Sequence, residues 1–168
     1  MPGSGKSTVG RQLARRLRLP FFDSDHVIEQ RLGCSIREYF AQAGEPAFRD
    51  LEEQVLSELA QGRDAVVATG GGAVLREANR RCLRAAGQVV YLRSTPEELF
   101  RRLRHDTNRP LLQVADPLDK LRALHAERDP LYRATAHFPI ETGRPSVPTL
   151  VNMIVMQLEL AGLLPPGP

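Results

Sequence analysis

Apolar and polar residues follow two periods along this chain, and the switches between them mark its elements. From Thr8 to Leu19, Val9, Leu13 and Leu17 recur at helical spacing with arginines on the opposite face, which predicts a first helix. Pro20-Phe21-Phe22 is a short apolar strand ending at Asp23-Ser24-Asp25. His26 to Leu32 is again helical, and Ser35 with Glu38 makes a capping box ahead of Ile36-Arg37-Glu38-Tyr39-Phe40. Pro46 sits at a helix start, and Phe48 to Leu59 continues that helix until Gly62. Ala65 to Thr69 reads as a buried strand running directly into Gly70-Gly71-Gly72. Arg76 to Ala86 is helical and closes at Gly87, and Gln88 to Leu92 is a third strand. Thr95-Pro96-Glu97-Glu98 combines an N-cap, a proline at the first helical position and a capping box, so a helix follows. His105 to Pro117 holds turn formers, an Arg-Pro pair and no period, which predicts an exposed flap. Asp119 to Arg133 is helical apart from Pro130, Phe138-Pro139-Ile140 is a weak last strand, and Pro148 to Gly162 supplies a last helix.

Strands alternating with helices predict an α/β fold, a parallel sheet with helices on both faces. At 168 residues, 42% of them hydrophobic, the chain is long enough for one core and is read as a single domain over 1–168. The net charge of +3 changes little, because short runs such as Arg15-Arg16-Leu17-Arg18 interleave leucine at helical spacing and read as solvated helix faces. No nucleic-acid partner is expected. Among 23 basic residues only Lys6 and Lys120 are lysine, which makes a lysine inside a glycine-rich loop informative. Cys34 and Cys82 form no Cys-x-x-Cys or Cys/His cluster, so reduced thiols in a cytoplasm are expected. The apolar tail from Thr149 to Leu164 carries Asn152, Gln157 and Glu159, which suits a packed helix better than a membrane span.

Candidate chemistry begins at the first residues. Gly3-Ser4-Gly5-Lys6-Ser7-Thr8 matches the end of the phosphate-binding pattern G-x-x-x-x-G-K-[ST], whose leading glycine would fall one position before Met1. Glycines let backbone N–H groups approach phosphate oxygens, Lys6 adds a point charge on the β/γ-phosphates, and Ser7 offers a hydroxyl to Mg²⁺. Because a buried strand ordinarily runs into such a loop, a core strand ahead of Met1 is expected, bringing the sheet to about five strands.

A nucleotide leaves the phosphoryl acceptor to be found. Asn-Lys-x-Asp, which guanine recognition would want, is absent from the sequence. Asp23 and Asp25 sit at the carboxyl end of a strand, where ligands lie in open α/β sheets; one carboxylate could serve Mg²⁺ and the other an acceptor hydroxyl. The same tripeptide is also compatible with a plain N-cap and turn. Gly70-Gly71-Gly72 exposes backbone amides in the same way, or forms a tight turn. Arg49, Arg109 and Arg128 do not stand out by pattern in a chain this rich in arginine.

Five segments nonetheless occur in the order and spacing of shikimate kinases: Phe22-Asp23-Ser24-Asp25-His26-Val27-Ile28-Glu29, Gly44-Glu45-Pro46-Ala47-Phe48-Arg49-Asp50-Leu51-Glu52, Gly70-Gly71-Gly72-Ala73-Val74, Asn108-Arg109-Pro110-Leu111-Leu112 and Glu127-Arg128-Asp129-Pro130-Leu131-Tyr132. From Gly3 to about Leu160 the chain resembles that family. The resemblance implies a three-layer P-loop kinase fold, with substrate-binding helices in 25–60 and a mobile lid in 105–118. It implies ATP-dependent phosphorylation of the 3-hydroxyl of shikimate, in aromatic amino-acid biosynthesis, by a cytoplasmic monomer that uses Mg²⁺. Carried over by residue, Asp25 contacts the shikimate hydroxyls and takes the proton from the attacking one, while Asp23 and Ser7 serve the metal. Arg49 and Arg128 grip the substrate carboxylate, and Gly70, Gly71 and Gly72 meet the ring hydroxyls. Lys6 and Arg109, a lid arginine, act on the phosphates held by Gly3, Ser4, Gly5, Ser7 and Thr8. Arg102 is implied to stack on adenine; the segment Glu141-Thr142-Gly143-Arg144-Pro145 follows the family's adenine loop only loosely, and with it Arg144. A gluconate-type P-loop kinase and a non-catalytic binding protein are the competing readings.

Overall fold

The computed structural model describes residues 1–106 and 113–165. Helix α1 (Lys6–Leu17) starts at the glycine-rich loop, and strand β1 (Phe21–Asp23) follows it. Three helices come next, α2 (Ser24–Leu32), α3 (Ile36–Ala43) and α4 (Glu45–Ala60), then strand β2 (Val66–Ala68). A short 3₁₀ turn at Ala73–Leu75 leads into α5 (Glu77–Ala86), β3 (Val90–Arg93) and α6 (Pro96–Leu103). The chain continues with α7 (Pro117–Thr135), β4 (Phe138–Glu141) and α8 (Val147–Leu160).

Local signals place most of these boundaries. Both expected capping boxes form: Ser35 and Glu38 close the start of α3, and Thr95 and Glu98 the start of α6. Asp23 caps α2 by accepting the backbone N–H groups of Asp25 and His26, so the Asp-Ser-Asp run is an N-cap. Two boundaries differ from the sequence reading. Helix α7 runs unbroken through Pro130, because Leu121 and Tyr132, packed on either side of it, hold the helix across the one missing N–H. Residues 117–118 of the expected lid already belong to α7, and 107–112, which include Arg109, lie outside the described residues.

The expectation of one sheet of about five strands is corrected. The four described strands form two separate parallel pairs, β1 with β2 and β3 with β4. A single sheet would need a strand bonded to both β2 and β3, and none of the described residues supplies it. The α/β layering holds all the same. On β3, Leu92 faces a core of Val9 and Leu13 from α1, Ile140 from β4, and Leu150, Val151, Ile154, Val155 and Leu158 from α8. The neighbouring Tyr91 faces the opposite core with Leu99, Leu121 and Tyr132, as the two-residue period of a strand requires. A third cluster of Ile28, Phe48 and Val55 joins α2 to α4. Among the described residues no helix is long and apolar enough to cross a membrane.

Candidate active site

Parallel pairing in register, Asp23 opposite Ala68, brings the carboxyl ends of β1 and β2 out side by side. The Asp23–Asp25 and Gly70–Gly72 segments, 45 residues apart, therefore meet there, and the Gly70 N–H donates to the buried Ser24 hydroxyl at 3.3 Å. A Cβ built on Gly70 would lie 2.7 Å from Asp25 Oδ1 and 3.1 Å from Glu52 Oε2, so this carboxylate pair stands directly over the glycine turn.

Helix α1 delivers the phosphate loop to the same end. Gly3 and Gly5 take φ of 76° and 85°, the left-handed region open to glycine, and no side chain caps the helix at Gly5. Its first N–H groups are left to an anion, and its first turn has no acidic residue. The Lys6 ammonium donates to the Met1 carbonyl at 2.8 Å, and the buried Ser4 hydroxyl donates to the same oxygen at 2.9 Å. The Ser7 hydroxyl donates to Asp23 Oδ2 at 2.6 Å, which ties the loop to β1. Thr8 sits in the first turn of α1.

Three carboxylates crowd this centre. Burial, then the charges of Asp23 and Glu52, push Asp25 up to about 6, with Lys6 pulling the other way. Glu52, 1% exposed, pairs with Arg49, whose Nη1 donates to its Oε1 at 2.8 Å. Arg49 also reaches Glu45 at 3.2 Å, and a Cβ on Gly72 would fall 2.6 Å from its Cζ. A Cβ on the neighbouring Gly71 would sit 3.2 Å from Arg128 Nη1. The two guanidinium groups thus flank the glycine turn, with Asp25 beside it. Among the described residues buried Arg128 Nε has no hydrogen-bond partner, so it is a donor open to a ligand.

Of the sequence-derived set, the structure brings Lys6, Ser7, Asp23, Asp25, Arg49, Arg128 and the three glycines to one end of the strands. Arg102 lies at the phosphate loop. Its guanidinium donates to the carbonyls of Gly3, at 3.3 Å, and Thr142, linking the phosphate loop to the segment after β4. Arg144 lies exposed on that segment and makes no hydrogen bond among the described residues. Two contributors were missed. Glu52 looks like an ordinary i,i+3 helix partner of Arg49, and only its burial marks it. Tyr132, whose hydroxyl donates to the Gly71 carbonyl at 2.6 Å, carries no signal in the sequence beyond its place in the segment from Glu127.

A family model described as shikimate kinase matches residues 2–159. The chain belongs to the shikimate kinase family. Relatives in that family include the shikimate kinase of Paracidovorax citrulli, 63% identical over 171 residues, an alignment covering all of this chain and 93% of the relative. That of Ralstonia nicotianae is 58% identical, with 98% and 86% covered. Among solved structures, the shikimate kinase from Acinetobacter baumannii in complex with shikimate superposes with a TM-score of 0.89 at 47% identity, covering 96% of this chain and 90% of that one.

Proposed function

We propose that this shikimate kinase family chain transfers the γ-phosphoryl group of ATP to the 3-hydroxyl of shikimate, giving ADP and shikimate 3-phosphate. The observation that carries the reading is that Arg49, Arg128 and Asp25 each stand against one glycine of the Gly70-Gly71-Gly72 turn. A planar fork suits a carboxylate, and two forks around one turn suit an anionic, hydroxylated ring such as shikimate. The loop Gly3-Ser4-Gly5-Lys6-Ser7-Thr8, with the N–H groups of α1, holds the ATP phosphates. Arg109, by the family pattern, reaches the ATP phosphates, and Arg102 and Arg144 border the base.

In the reaction the 3-hydroxyl oxygen forms a bond to Pγ, the Pγ–O bond to ADP breaks, and the hydroxyl proton passes to Asp25. Positioning and charge neutralisation do most of the work, since the transition state is loose. A group titrating near 6 is ionised at neutral pH yet basic enough to accept the proton. Ser7 and Asp23, a hydroxyl and a carboxylate 2.6 Å apart beside the phosphate loop, are hard oxygen donors that fit Mg²⁺. Bound with ATP, Mg²⁺ would neutralise charge on the β- and γ-phosphates. A cytoplasmic monomer completes the proposal.

A coupled ADP-release assay with shikimate and gluconate as alternative acceptors tests the activity. ADP release that depends on shikimate and is at background with gluconate is expected; equal rates would overturn the acceptor assignment. Gly72→Ala gives a finer test, because the added Cβ displaces the Arg49 guanidinium. The KM for shikimate should rise about tenfold, with the KM for ATP unchanged, since small misplacements of binding groups are costly.

A further inference from the structure

Tyr132 sits between the two elements that the proposed site needs in register, and none of the roles assigned above includes it. Its hydroxyl has one proton and two acceptor lone pairs. The proton goes to the Gly71 carbonyl at 2.6 Å, on the turn that faces the substrate. The oxygen accepts from the Met1 amine at 3.2 Å, and it stands beside the guanidinium of Arg128, one helical turn earlier on α7: a Cβ on Gly71 would lie 3.5 Å from the hydroxyl and 3.2 Å from Arg128 Nη1. The side chain is 8% exposed, so water does not readily replace these bonds. Below it, the ring packs against Tyr91 with centroids 4.9 Å apart. The Tyr91 hydroxyl in turn donates to Asp129 Oδ1 at 2.7 Å, the residue next to Arg128, and Arg133 holds the other oxygen of Asp129 at 2.8 Å. Helix α7 is thus fixed to β3 through Asp129 and to the glycine turn through Tyr132, both within the turn that follows Arg128.

We propose that Tyr132 is a positioning residue for acceptor binding: its hydroxyl holds the Gly71 carbonyl and the Arg128 guanidinium at one fixed separation, so that turn and arginine meet the substrate carboxylate together. The inference rests on the reading of Arg128 as a carboxylate ligand. Phenylalanine at 132 keeps the ring on Tyr91 and removes only the hydroxyl. The Gly71 carbonyl then loses its donor, and the turn is freed to move against Arg128, whose buried Nε has no partner among the described residues to hold it in place.

The test is steady-state kinetics on the full chain with Tyr132→Phe, Arg128→Ala and the double variant, each with shikimate and with its methyl ester, alongside thermal unfolding. Tyr132→Phe should raise the KM for shikimate about five- to tenfold, the size of one lost hydrogen bond between neutral groups. The KM for ATP and kcat should stay within about threefold, and the KM for the uncharged ester within about twofold, since the hydroxyl acts through Arg128 on the carboxylate. The double variant should be no weaker for shikimate than Arg128→Ala alone, because the two side chains act as one unit. If Arg128→Ala weakens shikimate and Tyr132→Phe does not, Tyr132 has no positioning role and the reading of Arg128 stands. If Tyr132→Phe raises the KM for ATP as much as that for shikimate while lowering Tm, the hydroxyl is merely structural and the proposal fails. If Arg128→Ala leaves shikimate binding intact, the carboxylate reading itself fails, and this inference with it.

Discussion

Replacing Asp25 with asparagine is expected to lower turnover about a hundredfold while making the protein more stable at neutral pH, the lower end of general-base effects being appropriate to a loose transition state. The two effects have one origin. Burial and the neighbouring Asp23 and Glu52 carboxylates raise Asp25 from an ordinary 3.8 to about 6. The folded state therefore binds this proton more tightly than the unfolded chain does. Stability falls as pH rises from about 4 to about 6, and the loss persists above that window. Asparagine cannot ionise, so above pH 6 it removes a penalty on the order of 2–3 kcal/mol. Below pH 4 the two proteins should unfold alike. Wild-type kcat/KM for shikimate should rise through about pH 6, where the free enzyme's base loses its proton. Thermal unfolding and a rate profile between pH 5 and 8 check both arms. A variant that lost stability along with turnover would make Asp25 a structural carboxylate.

Arg49→Ala carries the second large effect and reverses the pattern, losing both affinity and stability. Removing the guanidinium takes a charged donor from the substrate carboxylate, an affinity loss of about 10- to 100-fold. It also leaves Glu52, 1% exposed, without its partner. An uncompensated buried charge costs about 3 kcal/mol. Adding Glu52→Gln to the Arg49→Ala variant should return much of the stability and none of the affinity. Titration calorimetry with shikimate and thermal unfolding separate the two. Unchanged shikimate affinity in Arg49→Ala would overturn the assignment of Arg49 to the carboxylate.

What could be read from the sequence was written in local chemistry. Ser35 with Glu38, and Thr95 with Glu98, announce helix starts because a cap and its partner lie within one turn. The phosphate loop is equally local, since glycine, lysine and serine act within six residues. Asp23 illustrates a choice the sequence left open between an N-cap and a metal ligand. In the structure one oxygen caps α2 while the other accepts from Ser7, so the cap does not prevent the second role. Features that depend on tertiary placement stayed hidden. Glu52 and Glu45 both lie within a helical turn of Arg49, yet only Glu52 is buried, and nothing in the helix pattern separates them. Pro130 looked like a break because its missing N–H is local, whereas the packing that carries the helix past it comes from elsewhere. Arg102 could not be assigned from spacing either, since its partners Gly3 and Thr142 lie 99 and 40 residues away. Parallel pairing was legible in the alternation of strands and helices, whereas the split into two pairs was not, because it turns on what lies between β2 and β3, where no described residue forms a strand.

The central claim is a phosphoryl transfer to one hydroxyl of one acceptor. Nuclear magnetic resonance of the product formed from ATP and shikimate tests it most directly, through coupling of the new phosphorus to the ring protons. The account predicts a single phosphomonoester whose phosphorus couples to the proton on C3, formed in step with ADP. Phosphorus coupled to a different ring carbon, or ADP accompanied only by inorganic phosphate, would contradict it.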